Sequence, residues 1–181
     1  MKKELKHEGW LNIFNIKDVN KNGVEINREV MTRSVGNRTD DAVAGMLYDV
    51  NKKVYYFVNQ YRVGLSIRNE YPYLTEVVAG TLEKGEDPKE CFIRESMEEA
   101  GFKVNNIKEY PALYTSPGGI SEKCFLFIAD GVRTKEGGGL EEENEDIEVL
   151  EYTLEELKTL PFLDLKTQYL VNIILKNEGH I

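Results

Sequence analysis

Apolar and polar residues alternate along most of this chain, and the alternation gives way to a helical spacing in three places. WLNIFNI, Trp10 to Ile16, predicts a strand, and VEINREVMTR, Val24 to Arg33, predicts its antiparallel partner. Between them Asn22-Gly23 predicts a tight hairpin turn, whose two central residues need positive φ. DAVAGMLYDV and VYYFVNQYRVG, joined at Asn51-Lys52-Lys53, predict a second hairpin, and YLTEVVAG predicts a strand ending at Gly80. Asp87-Pro88 then combines an N-cap with proline at the first helical position, and Gly101 supplies the stop, so a helix is predicted up to Ala100. Ile93, Met97 and Phe92 are its expected core positions. IKEYPALYTS, EKCFLFIADGV and IEVLEYT read as further strands, and TLEELKTL and LDLKTQYLVNIILKN as closing helices. Many strands with few helices predict an α/β sandwich of mixed sheets. Neither a Rossmann nor a P-loop fingerprint is present.

Composition narrows the function. With 181 residues, 41% hydrophobic, ten Tyr and seven Phe, the chain can bury one sizeable core. Its net charge of −9 argues against a protein that grips a nucleic-acid backbone, which needs a basic footprint. An acidic protein binds a polyanion when metal ions lie between them. Cys91 and Cys124 form neither a disulfide framework nor a clustered zinc site. No run reaches the roughly 18 apolar residues of a membrane span, and the expectation is a cytoplasmic protein without a membrane partner. His7 and His180 lie near the ends, so acid–base work falls to carboxylates.

GTLEKGEDPKECFIRESMEEAGF, Gly80 to Phe102, holds seven acidic and three basic side chains, a costly crowding unless a positive charge belongs there. At about 100° per residue, Glu95 and Glu99 lie roughly 40° apart, with Glu98 roughly 60° to the other side of Glu95. Arg94, one turn before Glu98, can brace it. Carboxylates on one face, beside the backbone carbonyls of an Ala79-Gly80 loop, suit a hard divalent cation. The alternative is a solvated acidic helix.

The spacing G-x5-E-x7-R-E-U-x-E-E-x-G-U, with U apolar, resembles the box of the Nudix hydrolases. Here it reads Gly80, Glu86, Arg94, Glu95, Glu98, Glu99, Gly101 and Phe102, with Ser96 departing at the first U. SPGG, Ser116 to Gly119, and GGGLEEENEDIEVLEY, Gly137 to Tyr152, are similar to segments of the ADP-ribose and GDP-mannose pyrophosphatase branch. The resemblance implies a Nudix-type α/β/α sandwich over residues 39–181, with an N-terminal β-hairpin extension over 1–38 that dimerises. It implies magnesium, with manganese as a substitute, held by Ala79, Glu95, Glu99 and Glu145. It also implies a catalytic role for Glu143 as base, with Glu98 as a further candidate. Substrate contacts carry over to Trp10, Arg28, Glu29, Arg62, Gly80, Glu122 and Lys166.

The implied reaction is hydrolysis of a nucleoside diphosphate sugar, GDP-mannose first and ADP-ribose second, by a homodimer. A non-catalytic nucleotide-binding module and an RNA-directed relative are the readings from other classes. Four of the implied contacts have a plain alternative: a core position for Trp10, a surface ion pair for Arg62, and solvated charges for Glu122 and Lys166. Glu143 and Glu145 could equally belong to a solvated acidic loop. Ser116 sits in no nucleophile elbow, and Cys91 reads as packing.

Overall fold

A computed structural model describes residues 1–139 and 146–177. Its elements run β1 (Lys2–His7), β2 (Asn12–Val19), β3 (Glu25–Thr32), β4 (Arg38–Asp49), β5 (Val54–Tyr61), α1 (Val63–Ser66), β6 (Tyr73–Glu76), β7 (Val78–Glu83), α2 (Pro88–Ala100), β8 (Phe102–Tyr114), β9 (Lys123–Arg133), β10 (Ile147–Tyr152), α3 (Leu154–Leu157) and α4 (Leu165–Lys176).

Seven strands form one mixed sheet in the order β10-β5-β4-β9-β8, with β6 on β5 and β7 on β4. Its centre is the parallel pair β4–β9, in register from Ala42 opposite Cys124 to Asp49 opposite Gly131. Successive residues of β4 face opposite sides, which builds two cores. Val43 and Leu47 join Phe92, Cys91, Ala100 and Phe102 on the α2 side. Ala44 and Met46 join Leu157, Leu170, Val171 and Ile174 on the α3–α4 side. The α/β/α sandwich follows from that alternation.

Gly45 lets α2 approach the sheet. A Cβ there would stand 2.2 Å from the Phe92 ring, which stacks on Phe127 at 5.0 Å between centroids. On α2 the fully covered positions are Cys91, Phe92, Ser96, Glu99 and Ala100, while Ile93 and Met97, expected in the core, are half-buried. Ser96 sits in the core without an orphaned hydroxyl, because Oγ donates to the Phe92 carbonyl at 2.6 Å.

Three local expectations need correction. The turn between β2 and β3 spans five residues, and only Gly23 has positive φ (78°). Asn20 organises it, its Oδ1 accepting from the backbone N–H of Asn22 (2.9 Å) and Val24 (3.1 Å). The expected hairpin is part of a three-stranded sheet β1-β2-β3, because Lys2–His7, a segment with little apolar content, pairs with β2. The predicted strand 73–80 is two strands, β6 on β5 and β7 on β4, and the second runs on to Glu83.

Candidate active site

The acidic helix is set by its ends. Asp87 Oδ1 accepts from the Lys89 and Glu90 N–H groups, Pro88 starts the helix, and Gly101 ends it at φ 64°. Arg94 then fixes the carboxylates around it. Its guanidinium meets Glu86 at 3.1 Å, Glu95 at 2.8 Å and Glu98 at 2.9 Å. Burial would raise the Glu86 carboxyl, but the bonds from Arg94 and the Glu83 N–H, together with the Arg94 charge, outweigh it and hold it below the usual value. Glu95 and Glu99 both reach β7. Glu95 fills the space beside Gly80, where a Cβ would lie 2.0 Å from its carboxylate. Glu99, only 2% exposed, accepts from the Ala79 N–H at 3.1 Å and from Gln60 Nε2 at 2.9 Å.

The facing wall is a second ionic network. Arg62, at the end of β5, donates to Glu76 and to Gln60 Oε1. Glu76 is 3% exposed and also accepts from Lys166 Nζ at 3.1 Å. Lys166 donates at 2.7 Å to Asp164, the N-cap of α4, and Thr167 Oγ1 closes the network by accepting from the Val77 N–H. Burial alone would lower the Lys166 ammonium, but Glu76 and Asp164 outweigh it and hold it above the ordinary lysine value. Lys166 is therefore no solvated charge, while Arg62, its side chain 41% exposed, stands in the ion pair that its plain alternative expected.

A cavity of about 880 Å³ joins the two walls. Of the residues expected at a site, it brings together Trp10, Arg62, Ala79, Gly80, Glu95, Glu99, Glu122 and Lys166. Trp10 is no core residue: it is 77% exposed, with the Arg38 guanidinium 3.9 Å from its ring centroid. Glu122 is buried and paired with Arg33 at 3.0 Å. Its loop is tied to both sheets, since the Met31 N–H on β3 donates to the Gly119 carbonyl and Ser121 Oγ donates to Asp40 on β4.

Glu98, on Arg94, does not line the cavity. Arg28 and Glu29 lie exposed on β3, outside the cavity of their own chain. Glu143 and Glu145 lie outside the described residues. Sequence reasoning missed Gln60, Glu76, Arg33, Arg38 and Asp164. Gln60 and Arg62 stand on the QYR of a strand end, where strand alternation places both on one side, a signal that was available. The others depend on long-range packing. Burial pushes the Cys91 thiol up and the Cys124 thiol to about 12, so neither is a nucleophilic thiolate.

The profile of the NUDIX domain matches residues 38–170. The chain belongs to the NUDIX family. GDP-mannose pyrophosphatases of Escherichia coli O1:K1 / APEC and of Shigella boydii serotype 4 (strain Sb227) are each 35% identical to it, over 96% of this chain and 93% of theirs. The fold is shared with a crystal structure described as an ADP compounds hydrolase (TM-score 0.73, 21% identity), covering 100% of this chain and 98% of that one. The Gly80–Phe102 segment lies within the matched residues. Among the described residues no three or more His, Cys, Asp or Glu side chains are gathered to hold a metal alone. The donors that do converge, Glu95 and Glu99 beside the Ala79-Gly80 backbone, are all oxygen and fit a hard divalent cation.

Proposed function

We propose that this NUDIX protein hydrolyses the pyrophosphate bond of a nucleoside diphosphate sugar, with GDP-mannose the favoured substrate and magnesium the metal. The products are a nucleoside monophosphate and a sugar 1-phosphate. One observation carries the reading: the Glu95 and Glu99 carboxylates share a single cavity with the Arg62 and Lys166 cations. The cavity is lined by five cationic and five anionic side chains, so its wall offers a diphosphate no net attraction. A divalent cation held by Glu95, Glu99, the Ala79 carbonyl and Glu145 would supply that attraction and lower the pKa of a water at the phosphorus.

Each residue then has a task. Arg62 and Lys166 orient the phosphates, and their pairing with Glu76 keeps both in place before substrate arrives. Arg94 holds Glu95 and prevents its repulsion from Glu98. Trp10 presents a flat exposed face to the base, and Glu122 faces the same space. Glu143 takes the proton from the attacking water. Arg28 and Glu29 reach substrate across a homodimer whose N-terminal sheets, over residues 1–38, exchange contacts. The proposal sets the reaction in the cytoplasm. Among the described residues no helix is long and apolar enough to cross a membrane.

The 35% relatives favour GDP-mannose; ADP-ribose is the competing substrate. The test is monophosphate release from a panel of nucleotide sugars with magnesium, manganese or EDTA. GDP-mannose should give the highest kcat/KM and EDTA should abolish turnover. Preference for ADP-ribose would replace the substrate, and turnover unaffected by EDTA would overturn the metal reading.

A further inference from the structure

The Gln60 side chain bonds to both walls of the cavity. It is 5% exposed, and its amide is used at both ends: Nε2 donates to Glu99 Oε1 at 2.9 Å, and Oε1 accepts from the Arg62 guanidinium. The direction of the amide is fixed by its neighbours, because a carboxylate can only accept and a guanidinium can only donate. Glu99 is anchored at its other oxygen by the Ala79 N–H, and Arg62 at its Nε by Glu76. Gln60 therefore closes a continuous line of bonds from the β7 backbone through Glu99 and Arg62 to Glu76 and Lys166. No apolar residue of similar size could hold both groups, and a charged one would repel either Glu99 or Arg62.

We propose that Gln60 is a positioning residue, which sets the orientation of the Glu99 carboxylate toward a divalent cation and locks it in register with the phosphate-facing Arg62. The proposal rests on the reading of Glu99 as a metal ligand. A buried carboxylate that must keep one lone pair aimed at a cation needs its other contacts fixed, and loss of such outer contacts typically costs about 10–100-fold in metal affinity. Arg62 shares the same amide, so the effect reaches the substrate as well: a released guanidinium is no longer held at a fixed distance from the metal side.

The test measures manganese binding to the full chain without nucleotide, by electron paramagnetic resonance, so that it does not depend on turnover. Gln60→Met keeps the volume and removes both bonds. Gln60→Asn keeps the amide but retracts it, so that it cannot span Glu99 and Arg62 together. Glu99→Gln reports on the underlying metal assignment. The expected result is a manganese Kd raised about tenfold or more in Gln60→Met, a smaller rise in Gln60→Asn, and a higher KM for the nucleotide sugar in both. If Gln60→Met fails to fold, Gln60→Asn decides.

A Kd within twofold of the parent in the folded Gln60 variants, while Glu99→Gln is weakened, overturns the proposal and leaves the metal reading standing. A lowered melting temperature with unchanged Kd likewise assigns Gln60 a purely structural part and overturns it. An unchanged Kd in Glu99→Gln removes the metal reading and the proposal with it.

Discussion

Gly80→Ala should separate chemistry from folding. Gly80 lies in β7 opposite Val43, and it is not among the glycines with positive φ, so alanine meets no backbone strain. The new Cβ would stand 2.0 Å from Glu95 Cδ and Oε1. Carbon contacts settle near roughly 3.5 Å, so the carboxylate must retreat by about 1.5 Å. It sits at the end of a flexible side chain, and an off-rotamer shift costs on the order of 0.5–1.5 kcal/mol. The melting temperature should fall by no more than about 2–6 °C for a chain of this size. A displacement of about 1 Å at a reacting centre costs on the order of 10²-fold, so kcat/KM should drop at least that far.

Gly45→Ala is the contrast, because there the obstructing group is the buried Phe92 ring, 2.2 Å away and stacked on Phe127. Overpacking of that kind costs about 1–3 kcal/mol, so Gly45→Ala should melt several degrees lower while each folded molecule keeps its activity. The assay pairs GDP-mannose turnover at saturating magnesium with thermal unfolding of both variants. Gly80→Ala turnover within threefold of the parent would refute the argument, as would a Gly45→Ala variant that loses activity but not stability.

Glu145→Gln should raise the magnesium needed for half-maximal rate, whereas Glu143→Gln should lower kcat by about 10²–10⁴-fold with that requirement unchanged and partial recovery at high pH; the reverse pattern in a magnesium titration would exchange the two roles. Lys166 holds the Asp164 carboxyl below its usual value against burial, so its contribution is present above pH 3.8 and is lost as pH falls through the lower folded value. Denaturant melts of Asp164→Asn should therefore show a flatter loss of stability below about pH 4 than the parent, and equal slopes would contradict the pairing. Deleting residues 1–33 should abolish both dimerisation and turnover; light scattering that finds an active parent monomer at micromolar concentration would remove the homodimer.

The helix α2 was legible because its cap, proline, stop and carboxylate spacing are all local, and the structure places each within the expected element. The sheet was legible as strands but not as partners. The segment 73–80 looked continuous because the sequence does not record that β6 and β7 leave for different neighbours. β1 was missed since its six residues are exposed and carry little apolar signal. Ile93 and Met97 were expected in the core because they are apolar, but the face of α2 toward the sheet is fixed by Phe92 above Gly45. The cations Arg62 and Lys166 were identified through resemblance, while Glu76, which holds them together, had no signal of its own. A lone Glu in a strand acquires meaning only when residues 90 positions apart meet on it.

The parallel pairing of β4 with β9 also governs the order in which the molecule can assemble. Asp41 and Lys123 meet across 82 positions of chain, and such non-local parallel contacts form slowly because loop closure precedes any reward. The carboxylate helix and β7 are neighbours in sequence and can associate early. Phe92, however, has its stacking partner Phe127 on β9. A chain emerging from the ribosome thus carries β7 and the carboxylate helix while one apolar side of that helix is still uncovered. During that interval the nascent protein is most exposed to aggregation, and it ends only when the strand Lys123–Arg133 docks at the centre of the sheet.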